Sequence, residues 1–175
     1  MITYYQLTSL VYETAKPVVF SAMRVPKKAQ AYENGLYERY AGLNKFEQVF
    51  ASALDKVGNI WHRNPSNGGF RIPLLSEGDS ASFSPDFLVW KGKLVFCLDT
   101  KGGHLLTDAV ARKLFDIQDD GTTKVLTRFI TEGKQSTIGG KAIKGGYTVW
   151  KMKGGSPTPI HVSTIDQAVK ECVKA

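Results

Sequence analysis

SPDFLVWKGKLVFCLDTKGG, residues 84–103, decides how the rest of the chain is read. It holds two apolar runs, Phe87-Leu88-Val89-Trp90 and Leu94-Val95-Phe96-Cys97-Leu98, rich in the β-branched and aromatic residues that favour strands. Lys91-Gly92-Lys93 joins them. Gly-X is a preferred two-residue hairpin loop of type II′, so Gly92-Lys93 can close an antiparallel pair. In that register Lys91 faces Leu94, Trp90 faces Val95, and, counting outward, Asp86 faces Asp99. Directly opposed residues have Cβ atoms about 4.5–5.5 Å apart, so the hairpin gathers two carboxylates at its mouth. Lys101, two residues past Asp99, shares its face.

Like charges opposed on a sheet are destabilising, and a hard divalent cation held by oxygen ligands would offset them. Mg²⁺ bound by two carboxylates keeps several waters, one of which can act as a nucleophile. Lys101 then orients that water or stabilises charge developing on a phosphoryl oxygen. Each residue alone has a plainer reading: Asp86 capping a strand after a Pro turn, Asp99 ending one, Lys101 solvated. The Pro-Asp pair, the spacing, the hairpin parity and the apolar strands together favour the site.

At 175 residues the chain has one domain's length and enough material for a core. Lys+Arg 23 against Asp+Glu 16 gives a net charge of +7. With a pI near 9.4, that points toward a polyanionic partner. No apolar run approaches the ~18 residues that span a bilayer. The start, MITYYQLTSLVYETAKPVVF, lacks a basic region followed by an apolar block, so no signal peptide is expected. Cys97 and Cys172 read as reduced, buried thiols of a cytosolic, cytoplasmic protein.

Asn44 to about Val57 reads as a helix: Phe46, Val49, Phe50, Ala53, Leu54 and Val57 form one apolar stripe. Asn44 is the N-cap and Glu47 the third residue of a capping box. Residues 59–63 predict a strand ended by the turn-rich Asn64-Pro65-Ser66-Asn67-Gly68-Gly69, and Phe70 to Leu75 a second. Glu77 to Ser80 reads as a loop. Thr107 to about Gln118 fits a helix, with Val110, Leu114 and Ile117 spaced accordingly. Lys124–Ile130 and Tyr147–Met152 predict strands, separated by a glycine- and lysine-rich loop, EGKQSTIGGKAIKGG. Ile165 to Val173 reads as a last helix, and residues 1–40 as short helices or extended pieces. The order predicts an α/β layered domain with a central mixed sheet.

Other motifs fail. His62, His104 and His161 have no metal-ligand spacing, which excludes a familiar zinc pattern. Asp116-x-Gln118-x-Asp120-Gly121 is not a calcium loop, because Thr127 stands where a bidentate Glu is needed. Gly133-Lys134 does not close a phosphate-binding loop, because Arg128 replaces the first Gly and Gln135 the Ser or Thr.

The chain resembles the PD-(D/E)XK nuclease superfamily, through Pro85-Asp86 and Asp99-Thr100-Lys101. It is most similar to the C-terminal endonuclease domain of type III restriction enzymes. The residues that carry this are Glu47 within FEQVF, Trp61-His62-Arg63-Asn64, Pro85-Asp86-Phe87 and Asp99-Thr100-Lys101-Gly102. His104-Leu105-Leu106 and the Arg112-Lys113-Leu114 segment also look like that group. The likeness covers roughly residues 43–152. Asp99 stands where type III enzymes usually have Glu, and no ATPase or helicase segment accompanies it, so the resemblance implies a detached domain or a stand-alone nuclease.

The resemblance implies a restriction-endonuclease-like core, a central mixed sheet of four or more strands flanked by helices, within a single domain over 1–175. Residues 1–40 would be an extension packed on the 43–152 core, and 153–175 a C-terminal strand and helix. It implies a Mg²⁺-dependent endonuclease (Mn²⁺ substituting) that cuts DNA phosphodiesters in restriction or phage and mobile-element processing. A helicase, ATPase or methyltransferase is an expected partner beside DNA. Asp86 and Asp99 would be metal ligands, joined by the Thr100 carbonyl and by Glu47. Lys101 would be catalytic with them. Glu47 as helix cap alone is the competing role. Arg63, Asn64, His104, Arg112, Lys113, Lys134, Lys141 and Lys144 are candidate nucleic-acid contacts, each with a solvated surface residue as the alternative. The rival readings are a non-catalytic nucleic-acid-binding domain of the same fold, the nuclease module of a larger helicase–nuclease assembly, and a partner-binding domain with an accidental D-x-K.

Overall fold

The computed structural model describes residues 26–73, 82–102, 113–114, 116–119 and 123–175. In chain order these give β1 (Gln30–Ala31), β2 (Arg39–Tyr40), α1 (Lys45–Asp55), β3 (Trp61–Arg63), β4 (Ile72–Pro73), β5 (Ser82–Phe83) and β6 (Phe87–Lys91). There follow β7 (Leu94–Lys101), β8 (Asp116–Asp119), β9 (Thr123–Lys134), β10 (Ile143–Lys153), β11 (Ser156–Val162) and α2 (Ile165–Cys172).

β6 and β7 pair antiparallel with Lys91 opposite Leu94 and Phe87 opposite Leu98, the register that the turn chemistry predicts. Gly92 turns at φ 59, the positive φ required at the first position of such a loop. The hairpin is the middle of a mixed seven-stranded sheet of order β11-β10-β9-β7-β6-β3, with β8 also paired to β9. β7 and β9 run parallel, Asp99 level with Phe129 and Lys101 with Thr131; the other pairs are antiparallel.

Strand alternation sorts the side chains into two layers. Phe87, Val89, Phe96, Leu98, Ile130 and Val149 meet Phe50 and Leu54 of α1 and Ala168, Val169 and Cys172 of α2. Leu88, Cys97, Phe129 and Trp150 face the other way, onto Ile72, Phe83 and Leu114. Each large side chain removed from water there contributes roughly 1.5–3 kcal/mol. The chain is thus α/β, a mixed sheet with helices. No helix among the described residues is long and apolar enough to cross a membrane.

α1 begins as its sequence predicts. Asn44 Oδ1 accepts from the Glu47 N–H and Glu47 Oε2 from the Asn44 N–H, both at 2.9 Å, a reciprocal cap worth about 1 kcal/mol. α2 starts with the same device on Thr164 and Gln167.

Several expectations are corrected. Residues 116–118 are not the end of a helix but belong to β8, held by hydrogen bonding to the N-terminal half of β9; the expected helix residues 107–112 lie outside the described set, as do 1–25 and the loop 77–80. The glycine-rich loop is shorter than expected, because β9 continues to Lys134 and β10 starts at Ile143. Its glycines are absorbed by a register shift between Ile143 and Tyr147, with Gly145 and Gly146 at φ 101 and 69, as bulges allow. Phe70 is not in a strand; β4 begins at Ile72, and Leu74 and Leu75 lie outside the described residues. β11 joins the sheet directly, so the C-terminal strand and helix are part of the core layers.

The β3 and β11 edges of the sheet are specialised. Residues 34–36 lie along β3, through Leu36 N–H to Trp61 O at 2.7 Å and Trp61 N–H to Asn34 O at 3.1 Å. On β11, Pro157 and Pro159 occupy alternate positions while the ladder to β10 continues across them. The N–H row they interrupt therefore faces away from β10.

Candidate active site

The parallel β7–β9 and antiparallel β6–β7 and β3–β6 registers bring one end of each strand together. That end holds the start of β6, the ends of β3 and β7, and, by the Glu47–Arg63 pair, the start of α1.

Asp99 lies near the end of β7 and is 1 % exposed. Neither carboxylate oxygen meets hydrogen-bond geometry with a group among the described residues. The Lys101 ammonium lies 2.9 Å from Oδ2 as its ion-pair partner. Burial first, and then the Asp86 carboxylate, push Asp99 up to about 8 against the pull of Lys101. Burial alone would lower Lys101, but Asp99 beside it, with Asp86 and Glu47 further off, holds its pKa above the ordinary value. An ammonium kept charged donates hydrogen bonds and stabilises anions; it is unsuited to be a base.

Asp86 sits at a bend just before β6, because the ladder stops at Phe87 opposite Leu98. The expected opposition to Asp99 as a ladder pair is corrected in that detail. The approach is made instead by the side chain, whose Oδ2 accepts from the Thr100 N–H and Oγ1, both at 2.8 Å. Thr100, expected to offer its carbonyl, also supplies the two donors that orient Asp86.

Glu47 is buried at the start of α1, and both its oxygens are engaged. Oε2 closes the helix cap and Oε1 takes Arg63 Nη2 at 3.0 Å. The cap role is therefore real, and Glu47 reaches the site through its charge on Lys101. Arg63, expected on phosphate, pairs with Glu47 and donates to the Asn64 carbonyl. Asn64 is 1 % exposed and bonds only inside the fold, so its expected phosphate contact is corrected. Lys113 lies over the Phe83 ring, 5.9 Å from its centroid. Lys134, Lys141 and Lys144 are exposed on the β9–β10 hairpin. Lys134 stands three residues past Thr131, the neighbour of Lys101, or roughly 10 Å along the strand. His104 and Arg112 lie outside the described residues.

Asp86 and Asp99 offer hard oxygen donors suited to Mg²⁺ or Mn²⁺, and the buried Asp99 carboxylate, with two acids against one ammonium, fits such an ion. Among the described residues no three of His, Cys, Asp and Glu group as an all-protein metal cage; a Mg²⁺ site held by one or two carboxylates does not require one. The Thr100 hydroxyl and the Asn64 carboxamide escaped sequence reasoning as supports, since neither spacing nor periodicity signals contacts 14 and 21 residues away. Compared with known proteins, the chain matches no family model, no curated protein and no solved structure.

Proposed function

We propose that the chain is a metal-dependent nuclease of the PD-(D/E)XK kind, with a restriction-endonuclease-like core, hydrolysing DNA phosphodiester bonds. The observation that carries this is the convergence of two carboxylates, Asp86 and the buried Asp99, on a single lysine, Lys101, 2.9 Å from Asp99 Oδ2. Asp86 and Asp99, with the Thr100 carbonyl, would hold Mg²⁺ or Mn²⁺. When bound, the ion would supply charge neutralisation at the phosphoryl group and acidify a water. Thr100 keeps Asp86 aimed. Lys101 donates to the water or to a phosphoryl oxygen as negative charge builds. Glu47 supports the site through Arg63 and the field at Lys101. The exposed lysines of the β9–β10 hairpin extend past the site and suit a phosphate backbone.

The test is incubation of the chain with plasmid, linear duplex and single-stranded DNA in Mg²⁺ or Mn²⁺. Cleavage is expected from wild type, lost in EDTA and reduced at least ~10³-fold in Asp99→Ala or Lys101→Ala. Wild type that cuts none of these substrates, or an Asp99→Ala chain that cuts as well, sinks the proposal.

A further inference from the structure

The carboxamide of Asn64 sits too deep for a phosphate to reach, and the hydrogen bonds of its side chain and backbone together lead to the chain on either side of Asp86. Nδ2 donates to the Pro85 carbonyl and the Phe70 carbonyl, each at 2.9 Å, while Oδ1 accepts from the Phe70 N–H at 2.7 Å. The Asn64 backbone N–H donates to the Asp86 carbonyl at 2.8 Å. The Pro85 and Asp86 carbonyls belong to the two peptide units that flank the Asp86 Cα. One residue therefore grips both.

The chain around Asn64 is built to keep it there. The turn over 65–69 folds so closely on the carboxamide that a Cβ at Gly69 would lie 2.5 Å from Asn64 Oδ1. On the other side, Arg63 ties the Asn64 carbonyl to Glu47 at the start of α1. The task needs two donors and an acceptor on one short planar group. Asp offers no donor when ionised, Ser has a single hydroxyl, and Gln is one methylene too long.

We propose that Asn64 is a positioning residue for Asp86: by holding the peptide units before and after it, Asn64 aims the carboxylate at Thr100 and the Asp99–Lys101 pair. Its effect on metal and on cleavage rests on the nuclease reading; its effect on the Asp86–Thr100 hydrogen bond does not. Partners that orient a metal ligand typically matter 10–100-fold in affinity or activity.

The experiment measures amide hydrogen exchange across β7 and the Mn²⁺ midpoint for DNA cleavage in the full chain. It compares wild type, Asn64→Ala and, as a loss of stability on neighbouring β6 in the layer that meets α1 and α2, Val89→Ala. In Asn64→Ala, exchange at the Thr100 amide should rise at least ~10-fold more than at Phe96 or Leu98, and the Mn²⁺ midpoint should rise roughly 10–100-fold. Val89→Ala should move these amides together and leave the midpoint in place. Should Asn64→Ala not fold, Asn64→Ser, which keeps one hydrogen-bonding group, is measured in the same way. Unchanged relative protection of Thr100, or Val89→Ala reproducing both effects, overturns the proposal. A wild type that neither responds to Mn²⁺ nor cuts DNA, while Thr100 still depends on Asn64, upholds the positioning and removes the nuclease reading instead.

Discussion

Two acid–lysine clusters in this molecule use the same groups to opposite ends. Near α2, Glu171 lies 2.7 Å from Lys151 and 3.5 Å from Lys174. At the end of β7, Asp99 lies 2.9 Å from Lys101 with a second carboxylate, Asp86, acting on it. The distances hardly differ. The ratio of charges does: one acid between two ammonium groups against two acids beside one. Burial pushes both acids up, but the lysines outweigh it at Glu171 and hold its pKa below the ordinary value. At Asp99 burial and Asp86 win, and the carboxyl is held up to about 8. A carboxylate flanked by two ammonium groups reads as structure; a cluster short of positive charge reads as a place for a cation.

Metal should break this symmetry most. With Mn²⁺ at a hundredfold excess over its Kd, wild type is expected to gain about 2.7 kcal/mol in unfolding free energy. Glu171→Gln should gain as much and Asp99→Asn almost nothing; equal gains in wild type and Asp99→Asn, by denaturant titration, would erase the distinction.

Next comes pH in the presence of EDTA. Between the ordinary carboxyl value of 3.8 and about 8, folded Asp99 keeps a proton that the unfolded chain has released. Its stabilisation is complete below that window and is lost as pH rises through it, by at most about 1.4 kcal/mol per pH unit. Unfolding curves from pH 5 to 9 should show this fall, and Asp99→Asn should lack it; the same slope in both would assign the effect elsewhere. Glu171, with its pKa lowered, has the opposite sign: its contribution is present above its ordinary 4.5 and fades as pH falls through the folded value. The smallest effect belongs to Glu171→Gln at neutral pH, a loss of about 1 kcal/mol or less with cleavage unaltered. Lost cleavage in that variant would join the two clusters after all.

What could be read from the sequence was what local chemistry decides. The β6–β7 register follows from strand parity and Gly92, and the α1 start from Asn44 and Glu47, so both were legible, and the grouping of Asp86, Asp99 and Lys101 came with the first. The limits appear where distant pairing takes over. Leu114 and Ile117 suit a helix by spacing, yet Asp116–Asp119 completes an edge of β9 that no local pattern announces. Gly133, Gly145 and Gly146 look like loop residues but serve a bulged hairpin. Arg63 and Asn64 look like surface contacts because their partners, Glu47 and the Pro85–Asp86 segment, are remote in sequence.

The two prolines of β11 bear on how copies of this chain could meet. A second sheet seeking to continue this one would find two hydrogen-bond donors missing at that rim, and residues 34–36 already lying along the other. Sheet-to-sheet extension is thereby discouraged at the β11 and β3 rims. If the chain is the nuclease proposed, two molecules acting on one duplex would then have to meet away from these two rims.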